Sequence, residues 1–277
     1  MRYPFLRYPG FRMKAVTLSY DDGVIYDKKL IEIMSAHGLK GTFNINGGLF
    51  ASRPGERRMT AEEAIALYTS TGNEVAVHGY RHLSLAEVDS AMAVNDVLTD
   101  RIALEKLLGI PVKGMAYANG SYSDTVAEIL KTCGIVYSRT TVSTEKFDIP
   151  TDWLRLPATC HHGNPRLMEL AKQFIEAPQG RYYWSHTPQL FYLWGHSYEF
   201  NDNDNWHIIE EFASYVGGRD NVWYATNMEI YNYVKAYEAL QFAADGSFVY
   251  NPGAQDVFIN YIGREFLIPS GKVVSLQ

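Results

Sequence analysis

Two adjacent carboxylates, Asp21 and Asp22, follow Leu18-Ser19-Tyr20 and precede Gly23. Like charges side by side repel, so a cation or a proton must make the pair tolerable. A second polar group lies in the run 77–82, where His78 and His82 stand four apart. On a helical turn that spacing brings two imidazoles to one face, the arrangement with which two histidines hold one metal. Two histidines and one carboxylate make a half-open site for Zn²⁺ or a similar divalent ion, with positions left for water and substrate. One aspartate can then be a ligand while the other stays free as a base. Neighbours on an extended chain point in opposite directions, so the pair divides these roles. A third polar residue, His196, follows Leu193-Trp194-Gly195. Taken singly, an HxxxH pair is often two surface histidines and Asp-Asp-Gly a turn. Their joint placement at the ends of apolar runs is what points to chemistry.

The elements that must position these residues alternate. Apolar runs at 15–20, 41–46, 74–79, 113–118, 135–140, 190–196 and 222–226 read as strands. Helical patterns lie between them, with stops at Gly38, Gly72, Gly109 and Gly134. Thr60 with Glu63, Ser84 with Glu87, and Thr226 with Glu229 have capping-box spacing. Ser123 can cap a further helix, and Asn164 is expected to cap one with Pro165 at its first position. Strand then helix, repeated, predicts a parallel sheet with helical crossovers. The count fits a distorted (β/α)7-type barrel over 1–240, with a doubly wound open sheet as the alternative. Chemistry then sits at the C-terminal strand ends. From 241 to 277 short β-like runs punctuated by Gly and Pro predict a small antiparallel appendage packed on the barrel.

Composition narrows the classes. A formal net charge of −6 makes nucleic acid and anionic membranes poor partners, since both require clustered Lys and Arg. No apolar run approaches a membrane span. No continuous apolar leader opens the chain, so a cytoplasmic location is favoured over a secreted mature form. Cys133 and Cys160 are expected as two separate buried thiols. The 20 Tyr and 5 Trp suit either core packing or a sugar-binding cleft.

The stretches "TLSYDDG", "VHGYRH", "AYANGSY", "DWLRLP" and "LWGH", in this order, resemble the polysaccharide deacetylases of carbohydrate esterase family four. The resemblance runs over roughly residues 14–240. It implies Asp21 as general base, Asp22, His78 and His82 as metal ligands, and His196 as general acid. It implies Zn²⁺ as the cofactor, with Co²⁺, Ni²⁺ or Mn²⁺ as alternatives. The substrate implied is an N- or O-acetylated oligo- or polysaccharide. The third stretch departs from the family pattern: the arginine that normally positions the base is absent around Ala116-Tyr117-Ala118-Asn119-Gly120. A backbone N–H near Asn119 can still serve the oxyanion. In the fourth, Asp152-Trp153 is present, but the preceding acid, Asp148, is one residue further away than expected. His161 and His162 are candidates to replace the arginine or to orient His196, against the plainer reading of a solvated loop pair; His186 is treated alike. Tyr20, Asn119, Trp153, Trp194, His161 and His162 are the expected substrate contacts, and Trp184 is as well placed for the core as for the cleft. Two rivals remain: a hydrolase of a small cyclic amide on the same apparatus, and a non-catalytic carbohydrate-binding module.

Overall fold

The computed structural model describes residues 3–177 and 187–277; Trp184 and His186 lie outside the described residues. A short strand, β1 (Leu6–Arg7), precedes the barrel strands. These are β2 (Lys14–Asp21), β3 (Gly41–Ile45), β4 (Glu74–Val77), β5 (Gly114–Ala116), β6 (Tyr137–Ser143), β7 (Leu156–Ala158), β8 (Cys160–His161) and β9 (Gln189–Gly195). They pair in the order β7-β6-β5-β4-β3-β2-β9-β8. Only Thr159 separates β7 from β8. The first pairs with β6 and the second with β9, both parallel, so residues 156–161 bridge the two edges of the sheet. The amide of Thr159 itself donates to the Tyr192 carbonyl at 2.8 Å. The alternation thus yields a distorted parallel barrel rather than an open sheet. A further strand, β10 (Val222–Tyr224), runs parallel to the start of β2.

Helices cover the outside: α1 (Asp27–Ala36), α2 (Ala61–Ser70), α3 (Ser90–Leu108), α4 (Asp124–Thr132), α5 (Leu167–Glu176) and α7 (His207–Val216), with the short α6 (Ser197–Asp202) directly after β9. Their apolar faces and the outward residues of the strands, among them Val16, Leu18, Phe43, Val77, Met115, Phe191 and Leu193, form the main core. The opposite strand faces carry polar residues into the barrel: Thr17, Ser19 and Asp21 on β2, Thr42 and Asn44 on β3, and Arg139 on β6, all at most 3% exposed. Buried polar groups call for partners, and each of these side chains makes at least one hydrogen bond, although Asn44 Oδ1 and Arg139 Nε have none. At the strand starts α8 (Asn227–Glu238) closes the barrel. The Met228 amide donates to Glu74 at 2.8 Å, and the Asn227 amide to Thr42 Oγ1 at 3.0 Å. A carboxylate at a helix N-terminus is a favourable pairing.

Capping boxes form at Thr60–Glu63 and Thr226–Glu229, and Ser123 caps α4. Ser84 does not start the long helix. It precedes a single 3-10 turn (Leu85–Glu87), and α3 begins after Asp89, whose side chain accepts from the Met92 amide. Asn164 likewise makes a turn, accepting from the Arg166 amide at 2.8 Å, and α5 starts only at Leu167. An Asn or Ser side chain satisfies one local donor in either setting, so the spacing alone does not choose between turn and cap.

The C-terminal strands β11 (Gln241–Phe242), β12 (Phe248–Tyr250), β13 (Val257–Tyr261), β14 (Arg264–Ile268) and β15 (Val273–Ser275) form small antiparallel sheets, β1-β13-β14 and β11-β12-β15. β1 lies N-terminal to the barrel yet pairs with β13, so the two ends of the chain are sewn together. Among the described residues no helix is long and apolar enough to cross a membrane. Cys133 and Cys160 are buried, separate thiols.

Candidate active site

Asp21 is the last residue of β2 and points into the barrel. Its Oδ1 accepts from Asn44 Nδ2 at 2.8 Å, and its Oδ2 forms a short ion pair with Arg139 Nη2. Burial would raise its pKa, but the Arg139 guanidinium, with His78 and His196 beside it, overrides that and brings it down to about 2. Asp22 does not simply point the opposite way, as extended backbone would have it. Its φ is +85°, so the chain kinks in the left-handed region immediately after Asp21. Arg58 straps the kink: Nη1 donates to the Asp22 carbonyl at 2.5 Å, and Nη2 lies 3.2 Å from Oδ1. Each aspartate of the repelling pair therefore has its own guanidinium.

His78 follows β4, and its amide donates to Asp100 Oδ2 at 3.0 Å. Its ring is 1% exposed, with Nδ1 2.9 Å from the Ala116 carbonyl. A carbonyl only accepts, so the ring proton sits on Nδ1 and Nε2 presents a lone pair. That Nε2 is buried without a hydrogen-bond partner. The segment 78–82 is not helical. Gly79 (φ +82°) and His82 (φ +59°) turn it, and the two imidazole centroids meet at 4.9 Å. A Cβ on Gly79 would lie 2.7 Å from Asp96 Oδ2, so the turn requires glycine there on both counts. His82 Nε2 lies 3.5 Å from Asp22 Oδ1. One ligand atom from each of Asp22, His78 and His82 falls within 4.8 Å of the others. With an orphaned imidazole nitrogen aimed into a carboxylate-lined gap, the three residues fit a divalent metal.

The opposite wall comes from β6, β8 and β9. Arg139 lies flat on Trp194, its guanidinium 4.4 Å from the ring centroid, and is 1% exposed. Its guanidinium, and neither His161 nor His162, is the group that pairs with Asp21; the two histidines reach Glu199 instead. The signal was present in "IVYSRT": an arginine at an alternating position of a buried strand must have a partner inside. His196 Nε2 is 3.8 Å from Asp21 Oδ2, and its Nδ1 is 3.3 Å from Glu199 Oε1. Burial disfavours the imidazolium, but Glu199 and then Asp21 outweigh it, and the His196 pKa stands above its ordinary value. His161 and His162 are not a solvated loop pair. His161 belongs to β8, His162 is 3% exposed, and both Nε2 atoms reach Glu199 Oε2, at 3.0 and 2.8 Å.

The remaining expected contacts divide. Trp194 is at the site, its ring 5.9 Å from His196. Asn119 sits in a tight turn at φ +56°, with Nδ2 3.1 Å from Ser84 Oγ. Tyr20 is 1% exposed and stacks behind His162 at 5.8 Å, inside the outer core, so it does not line the cleft. Trp153 packs edge-on against Tyr231 and lines a small cavity with Thr17, Leu190 and Asn227, away from the strand ends. Alternation along β2 turned Tyr20 to the outer face, and Trp153 stands on a 3-10 turn (Trp153–Arg155) rather than on a strand.

Residues 10–138 match the family model described as polysaccharide deacetylase. A curated chitin deacetylase from Pestalotiopsis sp is 30% identical over 122 residues, 42% of this chain. The aligned stretch spans 37% of that relative's length. Among solved structures, a Mycobacterium smegmatis protein described as a polysaccharide deacetylase superposes with a TM-score of 0.59 at 17% identity, over 84% of this chain and 94% of its own. A family 4 carbohydrate esterase from Streptomyces lividans, solved with acetate, gives 0.50 at 16% identity, over 76% and 92%. The matched segment holds Asp21, Asp22, His78 and His82 and ends one residue before Arg139, so the likeness to polysaccharide deacetylases lies in the part of the chain that carries the Asp-Asp and His-x-x-x-His residues of the site.

Proposed function

We propose that this chain is a metal-dependent hydrolase that removes acetyl groups from an N- or O-acetylated carbohydrate. The observation that carries the reading is the convergence of Asp22 with the partnerless Nε2 of buried His78 and with His82, next to Asp21 and His196, at one end of the barrel. Bound by Asp22, His78 and His82, a divalent ion, Zn²⁺ first among candidates, would supply Lewis acidity to the acyl carbonyl and to a water. The protein's own groups do the rest. Asp21, held on one oxygen by Asn44 and on the other by Arg139, accepts the water proton. His196 gives the Nε2 proton to the leaving nitrogen or oxygen. With its centre 3.8 Å from Nε2, Asp21 Oδ2 can return the proton it took, which restores both groups. The Asn119 turn, tied to Ser84, offers a backbone N–H to the oxyanion. No thiol nucleophile competes: burial pushes the Cys160 pKa up to about 12.

Acetate release measured against chitooligosaccharides, acetylated xylan and small cyclic amides tests the substrate class. Release from the glycans, abolished by chelator and by His78→Ala with loss of bound metal, is the expected result. Full activity of metal-stripped His78→Ala would overturn it. Turnover of the cyclic amides alone would redirect the reading to a small-amide hydrolase. Chelator-insensitive sugar binding without hydrolysis would mark a binding module, which has no use for the orphaned His78 nitrogen.

A further inference from the structure

Three imidazoles converge on one carboxylate beside the site. Glu199 stands one turn beyond His196 on α6, with Oε1 toward His196 Nδ1 and Oε2 toward the Nε2 atoms of His161 and His162. We propose that Glu199, clamped by His161 and His162, is a positioning residue that holds the proton of His196 on Nδ1 and aims Nε2 at the leaving group. This rests on the reading of His196 as the acid. A carboxylate accepts and does not donate, so the imidazole atom facing it must carry hydrogen. The Nε2 atoms of His161 and His162 flank Oε2 at 3.0 and 2.8 Å, while Oε1 faces His196 Nδ1.

The same atoms lie close enough to suggest a second metal cage. The ring tautomer of His161 speaks against it. The Gly163 amide donates to His161 Nδ1 at 3.0 Å, so the His161 proton sits on Nε2, facing Glu199 as a donor and not as a ligand. Burial is also arranged for this clamp. His162 is held between the rings of Phe200, at 4.0 Å, and Tyr20. It fits only because residue 195 has no side chain: a Cβ there would lie 2.1 Å from His162 Nδ1. Burial lowers the His162 pKa to about 4 against the pull of Glu199, which keeps this donor neutral at ordinary pH. The groups facing His196 are Asp21 from β2, Glu199 and Tyr198 from α6, and His161 from β8, with Asp22 further out.

The experiment is a side-chain NMR titration of His196 in the intact protein and in Glu199→Gln, beside the pH profile of acetate release. Glu199→Gln should lower the His196 pKa by about one unit or more. It should lower kcat about 100-fold with little change in KM. Glu199→Asp should restore part of both. Should Glu199→Gln fail to fold, His162→Ala and Gly195→Ala each disturb one donor and should move the same titration in the same direction by less. An unchanged His196 titration in all three would overturn the proposal. So would a second equivalent of bound Zn²⁺ that His161→Ala removes. Absence of acetate release by the unaltered protein would sink the hydrolase reading, while the titration would still decide the clamp.

Discussion

The wall of the cleft built after β2 and β4 presents its groups on backbone kinks, whereas the wall built from β6, β8 and β9 presents them on straight strands and one helical turn. Asp22, Gly79 and His82 all have positive φ; Arg139, His161, His162, Trp194, His196 and Glu199 all have ordinary φ. Kinks are made by residues adjacent in sequence and restrict which types can occupy them, so they leave compact motifs. Straight strands place any residue on one of two faces. Partners such as Asp21 and Arg139 are 118 positions apart and meet only through sheet order and register. The first wall is therefore the recognisable one and the second the adaptable one: the guanidinium that pairs with Asp21 comes from β6, far from it in sequence.

The sharpest break of this comparison is Asp21→Asn. Acetate release should fall by about 10³-fold or more, while bound metal, held by Asp22, His78 and His82, stays. Loss of metal in this variant, measured by elemental analysis, would mean that the two aspartates do not divide the roles described.

Next in size is Arg139→Met, which tests whether the second wall supports the first. Removing the guanidinium strands a buried carboxylate, a defect of about 3–5 kcal/mol, read as a lower urea midpoint. Adding Asp21→Asn should recover much of that loss, so the double variant should be far from additive. Simple additivity would show that Arg139 acts by packing on Trp194 rather than by its charge.

The smallest expected effect concerns Asp27, beneath the cleft. It accepts from Tyr68 OH at 2.6 Å and Ser197 Oγ at 2.5 Å. Burial, against those two hydroxyls, raises its pKa to about 7. Between its unfolded value of about 4 and that pH, the folded protein holds a proton that the unfolded chain has released. Its contribution to stability is complete below the lower value and is lost as pH rises through 7. Asp27→Asn should thus compare progressively better with the unaltered protein as pH climbs from 4 to 7. Denaturation midpoints at several pH values check this; a constant difference would mean that Asp27 is ionised throughout. Asp100, also raised to about 7 by burial, stays in both proteins and cancels from the comparison.

Much of the barrel could be read in advance. The strand runs, the glycine stops and two of the three capping boxes correspond to elements that form, because hydrophobic period and local donors act within a few residues. Helix starts at Ser84 and Asn164 failed where the same side chains satisfy a turn instead. Tyr20 and Trp153 were expected at the cleft and lie in cores, since strand alternation and loop path decide the face. Glu199 has no signature in the sequence, because a lone glutamate on a short helix carries no local mark of importance.

The amino-acid sequence by itself determined the alternating parallel α/β class and the two compact motifs, Asp21-Asp22 and His78 with His82, because each depends on periodicity or on spacings of a few residues; closure of the sheet into a barrel, by the bridge at 156–161, came from the tertiary structure. Only the tertiary structure decided that Arg139 neutralises Asp21, that Arg58 straps Asp22, and that three histidines meet at Glu199. Those are contacts between chain-distant side chains, and their existence depends on strand order, register and burial, which no short window of sequence contains.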